Sequence, residues 1–504
     1  MVKVITATPF GFAFELENDD CFFTGEYEIH LNGTFYKATD KNAVAIYGLK
    51  PNTSYDVQLK GKDISFTVKT ETPNYVINVR DYNALGDGVT DDTSAINAAV
   101  YTAVAGSVVY IPKGEYLVDQ IFLKSDVDIY LERGAVIKQN TERKKLAILK
   151  GYQRDYSHES PQKALINASW EGHPLDCYCA LIYGNNINNV RVYGEGTIDG
   201  NGDAGDFWIN PKVKNRAYRP KNILLVNCGN ITVSGITSRN SASWNIHPLY
   251  CTNISFSCMK IESGEDSPNT DGINPESSSD VSIVGCRFNV GDDCVAIKAG
   301  KYYMSTARLR PSEDITIRNC FMEKGHGGVV IGSEMSCGVY RVSVSRCVFR
   351  DTDRGLRIKT RRGRGKHAIV DGIAFDNIIM QGVRHGFVVN MYYFCDPDGK
   401  SDYVRDKNPR EKDELTPTVK NITVTNVRAD RIRGSAVFIY GLPESCVTGV
   451  RLTDNVFTFA PDNERVLECP AMMDDFTVTE KLDFYIKNCD DVFIKNNEGI
   501  VSSL

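Results

Sequence analysis

Asp280-Val281-Ser282-Ile283 is a short phrase in which polar and apolar side chains alternate. Alternation of this kind sends both apolar side chains to one face of a strand. The phrase recurs on either side, its apolar pairs being Ile231/Val233, Ile254/Phe256, Val281/Ile283, Ile315/Ile317, Val342/Val344, Ile373/Phe375, Ile422/Val424 and Val450/Leu452. Their first members lie 23, 27, 34, 27, 31, 49 and 28 residues apart. A loose period in the twenties and thirties, built from short strands, predicts a solenoid. Few stretches between the strands have helical spacing. An all-β, right-handed parallel β-helix therefore fits better than a leucine-rich or helical repeat, with coils stacked at the ~4.8 Å strand spacing.

Between consecutive phrases lie the residues that carry chemistry. They are Asn269-Thr270-Asp271-Gly272-Ile273, Gly291-Asp292-Asp293-Cys294, Gly325-His326-Gly327 and Arg357-Ile358-Lys359. With the second strand of four successive coils in register, Ile273, Val295, Val329 and Leu356 form one inward column. Pro275, Ile297, Ile331 and Ile358 form the next. Asp271 and Asp293 then share a column two residues earlier, and Asp292 lies beside His326. Arg357 and Lys359 must point outward. Three carboxylates, an imidazole and two cations converge on one outer face. Strand parity is not defined in the turns, so the orientations of Asp292 and Asp293 stay open.

In this order and spacing the four motifs resemble the signature of the polygalacturonases, glycoside hydrolase family 28. Any one alone is weak; all four, each one coil apart, are highly specific. The resemblance runs over most of 75–504 and is strongest from 244 to 360. It implies cleavage of α-1,4-galacturonosyl bonds with inversion, Asp292 as general acid, and Asp271 and Asp293 holding the water. His326 would tune the acid, and Arg357 and Lys359 would bind the galacturonate carboxylate. Asn269 belongs to the first motif and is a further substrate-binding candidate. The family carries a tyrosine near Tyr392 and Tyr393, of which Tyr393 is the candidate. The Asp-Asp pair, rather than Asp-Glu, points to homogalacturonan. Crowded carboxylates also suit the chemistry, because each raises the proton affinity of its neighbours and one can stay protonated. No cofactor or metal is expected.

The rest of the chain fits around this core. A net charge of −6 with 42% hydrophobic and 24% charged residues is that of an ordinary globular protein. It gives no support to a nucleic-acid partner, and no run of ~20 apolar residues suggests a membrane span. The expected partners are polygalacturonate or oligogalacturonides. The start, Met1-Val2-Lys3-Val4, lacks the apolar core of a signal peptide, and the fifteen cysteines show no framework spacing. Both suit a cytoplasmic protein, although a cleaved leader would leave the same start. Cys286, Cys320 and Cys347 should stack as buried thiols.

Residues 1–73 read as a separate unit. Gly48-Leu49-Lys50-Pro51-Asn52-Thr53-Ser54-Tyr55 resembles the tyrosine-corner segment of fibronectin type III domains, implying a small β-sandwich before the β-helix of 74–504. Gly86-Asp87-Gly88-Val89-Thr90-Asp91-Asp92-Thr93, with helical spacing after it, resembles the opening of pectin-degrading β-helices, where a helix covers the first coil. The aspartates there are expected to cap the helix and form turns. His247 is expected to be structural or a groove wall.

From Arg357 to Lys366 six cations occur without an acid. A solvated loop is the default for such a run. Its place beside the site instead suggests a carboxylate-binding patch, with Arg362 and Arg364 as substrate-binding candidates. Insertions at about 142–181 and 392–415 flank the catalytic coils. Walls at those places would leave a pocket for a chain end, predicting exo-attack from the non-reducing end. Two other classes share these features. A calcium-dependent pectate lyase would leave the histidine and paired aspartates unexplained, and a non-catalytic polysaccharide-binding β-helix would bind without turnover.

Overall fold

The computed structural model describes residues 1–153 and 165–499. The middle of the insertion expected over 142–181 lies outside them. Residues 2–69 make two antiparallel sheets, one of three strands and one of four. Between them sits one apolar core that includes Phe12, Phe14, Ile29, Ile46, Val57 and Leu59. The Tyr55 hydroxyl accepts a hydrogen bond from Lys50 N at 3.0 Å.

From Val76 onward the chain winds as a right-handed parallel β-helix. The phrases pair as their spacing requires: Ile231, Ile254, Val281, Ile315, Val342, Ile373, Ile422 and Val450 are successive partners in one parallel ladder. All are buried. Burying such a side chain contributes ~1.5–3 kcal/mol, and a one-residue slip would turn the whole column to water. The register is therefore held by repetition of the same small gain. Turns between strands use left-handed asparagines, whose amides also stack. Asn189, Asn230 and Asn253 have φ of 60, 54 and 57° and bond in series at 3.0 and 2.7 Å. Cys286, Cys320 and Cys347 are buried free thiols, with Cys347 Sγ accepting from Cys320 N.

Helix α1 (Thr93–Thr102) buries Ile96, Ala99 and Val100 against the first coils. The aspartates before it divide the work differently from a simple cap. Asp92 makes no cap bond and instead accepts from Leu85 N and Gly86 N at 2.6 and 2.9 Å. Asp91 takes the first helical N–H, Thr93 N, at 3.0 Å.

One face of the solenoid positions the site. It carries β1 (Asp293–Ile297), β2 (Gly327–Gly332), β3 (Arg354–Lys359) and β4 (His385–Asn390), stacked in that order. The coil before β1 joins through isolated bridges at Ile246, Ile273 and Val295. The N-terminal unit docks elsewhere, on the strands of the phrase ladder. There Glu15 accepts from Arg318 at 2.9 Å, Arg346 at 3.1 Å and Asn319 at 2.6 Å. Phe22 stacks on Phe321 with centroids 5.5 Å apart.

Candidate active site

Ile273, Val295, Val329 and Leu356 form the expected column, and Ile297, Ile331 and Ile358 the next. All are fully buried. Inward packing of these apolar residues leaves the alternate positions facing out, which is how β3 delivers Arg357 and Lys359 to the same side as Asp293. Asp293 stands opposite Gly327. A Cβ at Gly327 would lie 3.2 Å from Asp293 Oδ1 and 2.3 Å from Val330 Cγ2, so the glycine is what leaves room for the carboxylate.

The orientations left open by the turn are now defined. Lys359 Nζ donates to Asp293 Oδ2 at 3.0 Å, and Arg357 lies 3.9 Å from the other oxygen. Asp271 lies 3.6 Å from Lys298 Nζ. Asp292 approaches His326 Nδ1 at 3.5 Å. The side chains of Asp271 and Asp293 are each 3% exposed, while Asp292 is 24% exposed and opens to the cleft. A cavity of about 290 Å³ lies over the three aspartates, with Asn269, His326, Arg357, Lys359 and Tyr393 in its wall. Asn269 Oδ1 also accepts from Arg219 at 2.7 Å. The Tyr393 ring stands 5.8 and 5.4 Å from the Arg357 and Lys359 cations. Tyr392 is buried against Tyr440 and takes no part in the wall.

Charge is divided unevenly among the carboxylates. Burial, followed by the repulsion of Asp292, pushes Asp271 well above the usual carboxylate range. Burial also works against the Asp292 charge, but its hydrogen bond and attraction to His326, with Lys359 and Lys298, bring it below that range. Of this pair, Asp271 is the one whose protonated form is favoured, and Asp292 the one whose charged form is. The hydrogen bond to Asp292 raises His326 above its ordinary 6.5 against the effect of burial. A raised value means the imidazolium is present below 6.5 and is lost only as pH climbs past the shifted value. Ring resonances followed by NMR should titrate above 6.5, and Asp292→Asn should move the midpoint downward. An unmoved midpoint would remove Asp292 as the cause.

The cation run departs from expectation. Arg361, Arg362 and Arg364 are each no more than 2% exposed. Arg362 holds Glu444 at 2.6 and 2.9 Å and the carbonyls of Tyr403 and Asp406. Arg364 bonds Ser333 Oγ and Asp396, each at 3.1 Å. Arg361 holds Asp396 and Asp398. Neither Arg362 nor Arg364 lines the cavity, and their guanidinium groups are taken up by protein partners instead. Buried guanidinium groups need acids, and these come from loops 32 to 82 residues away. The run clamps the second insertion in place. His247, bonded to Glu276 at 2.9 Å and fully buried, is structural.

Several cavity residues were not singled out from the sequence. Lys298 lies 3.5 Å from Glu334 and 4.7 Å from the Trp244 ring centroid. It follows Ile297 as Lys359 follows Ile358, so the same outward parity would have found it. Glu334 is held down to about 2, burial being outweighed by Lys298 and Lys301. Lys301, Glu171, Lys212, Cys395 and Asp396 come from loops and carry no such signal.

Comparison with known proteins adds to this geometry. The model of the glycosyl hydrolases family 28 matches residues 102–473. A probable polygalacturonase of Vitis vinifera is 29% identical over 394 residues, covering 77% of this chain and 75% of the relative. An exo-poly-alpha-D-galacturonosidase of Dickeya chrysanthemi is 28% identical over 428 residues, covering 75% and 68%. Among solved structures, the hyperthermoactive exopolygalacturonase from Thermotoga maritima superposes with a TM-score of 0.66 at 25% identity, covering 84% of this chain and 93% of that one.

Proposed function

Because this chain belongs to glycosyl hydrolase family 28, we propose that it hydrolyses α-1,4-galacturonosyl bonds with inversion, attacking from the non-reducing end. The observation that carries the chemistry is the cluster of three carboxylates in which Asp292 alone of the three opens to the cleft. An inverting hydrolase needs an acid on the leaving oxygen and a carboxylate on the water opposite. In this reading Asp292 takes the first role, and Asp271 with Asp293 the second.

The raised proton affinity of Asp271 fits this division once substrate is present. A galacturonate carboxylate beside Lys359 and Arg357 draws on Lys359, one of the cations that favour the Asp292 charge. Asp292 then gains the proton that Asp271 gives up. It passes that proton to the glycosidic oxygen as the bond breaks, while water loses a proton to the Asp271–Asp293 side and attacks the anomeric carbon.

End-attack is supported by the walls. Glu171 from the first insertion and Cys395 and Asp396 from the second, with Lys212, line a cavity of about 290 Å³. That is at the small end of the ~300–1,000 Å³ usual for ligand sites and suits a chain end better than the middle of a polymer. Residues 1–73 contribute nothing to the cavity wall. We read them as a fibronectin type III-like brace, on the Tyr55 corner bond and the Glu15 contacts with the β-helix.

A product time course on polygalacturonate, with and without chelator, tests the reading. Mono- or digalacturonate should appear first, viscosity should fall slowly, and NMR should show the inverted anomer. A retained anomer would defeat inversion, and an early ladder of oligomers would defeat end-attack. An unsaturated product would establish a lyase, and binding without turnover a non-catalytic protein.

A further inference from the structure

The short hairpin Ser169–His173 belongs to an insertion that interrupts the coil repeat, yet it is held on every side by the coils next to the catalytic ones. Trp170 and His173 exchange backbone hydrogen bonds of 2.9 and 3.0 Å. The Trp170 ring lies between Tyr218, at 5.0 Å and 12°, and Trp244, at 6.2 Å and 6°. Arg219 and Lys221 stand 5.1 and 5.5 Å from the same ring. Ser169 Oγ donates to Glu276 at 2.7 Å. Gly172 O accepts from Lys301 N at 2.9 Å. Any side chain at Gly172 would meet Glu334 at 2.7 Å and Lys301 N at 2.9 Å, at a φ of +74°.

With these anchors taken, the tip residue is left facing the cavity. Glu171 adopts φ 46°, an uncommon value for a residue with a side chain, of the kind found where structure enforces a position. Its carboxylate pairs with Lys212, and both line the cavity. A carboxylate in this wall repels the acid groups of a galacturonate chain. It is favourable only where the substrate presents hydroxyls, to which an ionised acceptor makes strong bonds.

We propose that Glu171, oriented by Lys212, recognises the free 4-hydroxyl of the non-reducing terminal residue. This is the one hydroxyl that distinguishes that end from every internal residue, whose O4 is in a glycosidic bond. The assignment rests on the end-attack reading and adds the group that reads the end. Glu171 is a specificity residue and takes no part in bond breaking.

The test compares trigalacturonate with its counterpart whose terminal residue is 4,5-unsaturated and lacks the 4-hydroxyl. A site built on a hydroxyl bond can reject the analogue by ~10⁴–10⁵ when fully buried. Glu171 is 26% exposed, so the expected preference of the wild type in kcat/KM is nearer ~10–100-fold. Glu171→Ala should lose most of that preference by slowing the saturated substrate. Glu171→Gly provides a second variant, because glycine suits the positive φ and removes the carboxylate without backbone strain. A penalty from the flattened unsaturated ring alone would persist in both variants, so an unchanged ratio, or equal losses on both substrates, overturns the proposal. Failure of the end-attack reading looks different: the wild type would show no preference and would give an oligomer ladder on polygalacturonate.

Discussion

Asp292→Asn is expected to lose ~10²–10⁴ of turnover, the usual contribution of a positioned general acid, while folding stays nearly unchanged. The amide has the shape of the carboxyl group but no proton to give the leaving oxygen. Stability should hold because the pair it breaks is partly solvated, with Asp292 24% and His326 56% exposed, at 3.5 Å. Pairs of that kind contribute little. Turnover and thermal midpoint measured on the same preparation separate the two effects. More than a tenth of wild-type turnover would show that Asp292 is not the acid. Asp271→Asn is the informative companion, since it imitates the protonated form that burial favours. If Asp271 must surrender its proton and serve the water, this variant is inactive as well.

Lys359→Ala should lower kcat/KM on polygalacturonate by ~10²–10³. Its ammonium is 8% exposed and 3.0 Å from Asp293, which is 3% exposed. Removing one member of a buried pair costs ~2–5 kcal/mol, largely by leaving the other charge unpaired. Arg357, 3.9 Å from the same carboxylate, keeps the loss below the top of that range. The same ammonium is placed to meet the substrate's carboxylate, so the loss should be about tenfold smaller on methyl-esterified chains, which present no such charge. Each tenfold corresponds to ~1.4 kcal/mol. Equal losses on the two substrates would mean that Lys359 serves Asp293 alone.

The β-helix and the aspartate cluster were legible in the sequence for one physical reason. A strand alternates with period two, and a parallel stack copies that alternation from coil to coil, so a local pattern such as Val281-Ser282-Ile283 also defines a neighbour relation. Once Ile273, Val295, Val329 and Leu356 are aligned, Asp271, Asp293 and His326 fall at neighbouring positions of successive coils, and Arg357 and Lys359 must point outward beside them. Lys298 obeys the same parity and was within reach.

The tertiary structure alone decided what lies between the strands. Arg361, Arg362 and Arg364 look like free cations in the chain, but their acids, Asp396, Asp398 and Glu444, arrive from loops that have no period to read. The same holds for Glu171, whose partner Lys212 is 41 residues away, and for the Tyr218–Trp170–Trp244 stack that seats it. Turn parity left Asp292 and Asp293 undefined until the lattice of Lys298, His326 and Lys359 around them set which one faces the cleft. Repetition made the catalytic face predictable, whereas the cavity wall depends on single long-range contacts that each occur once, and only folding brings those residues together.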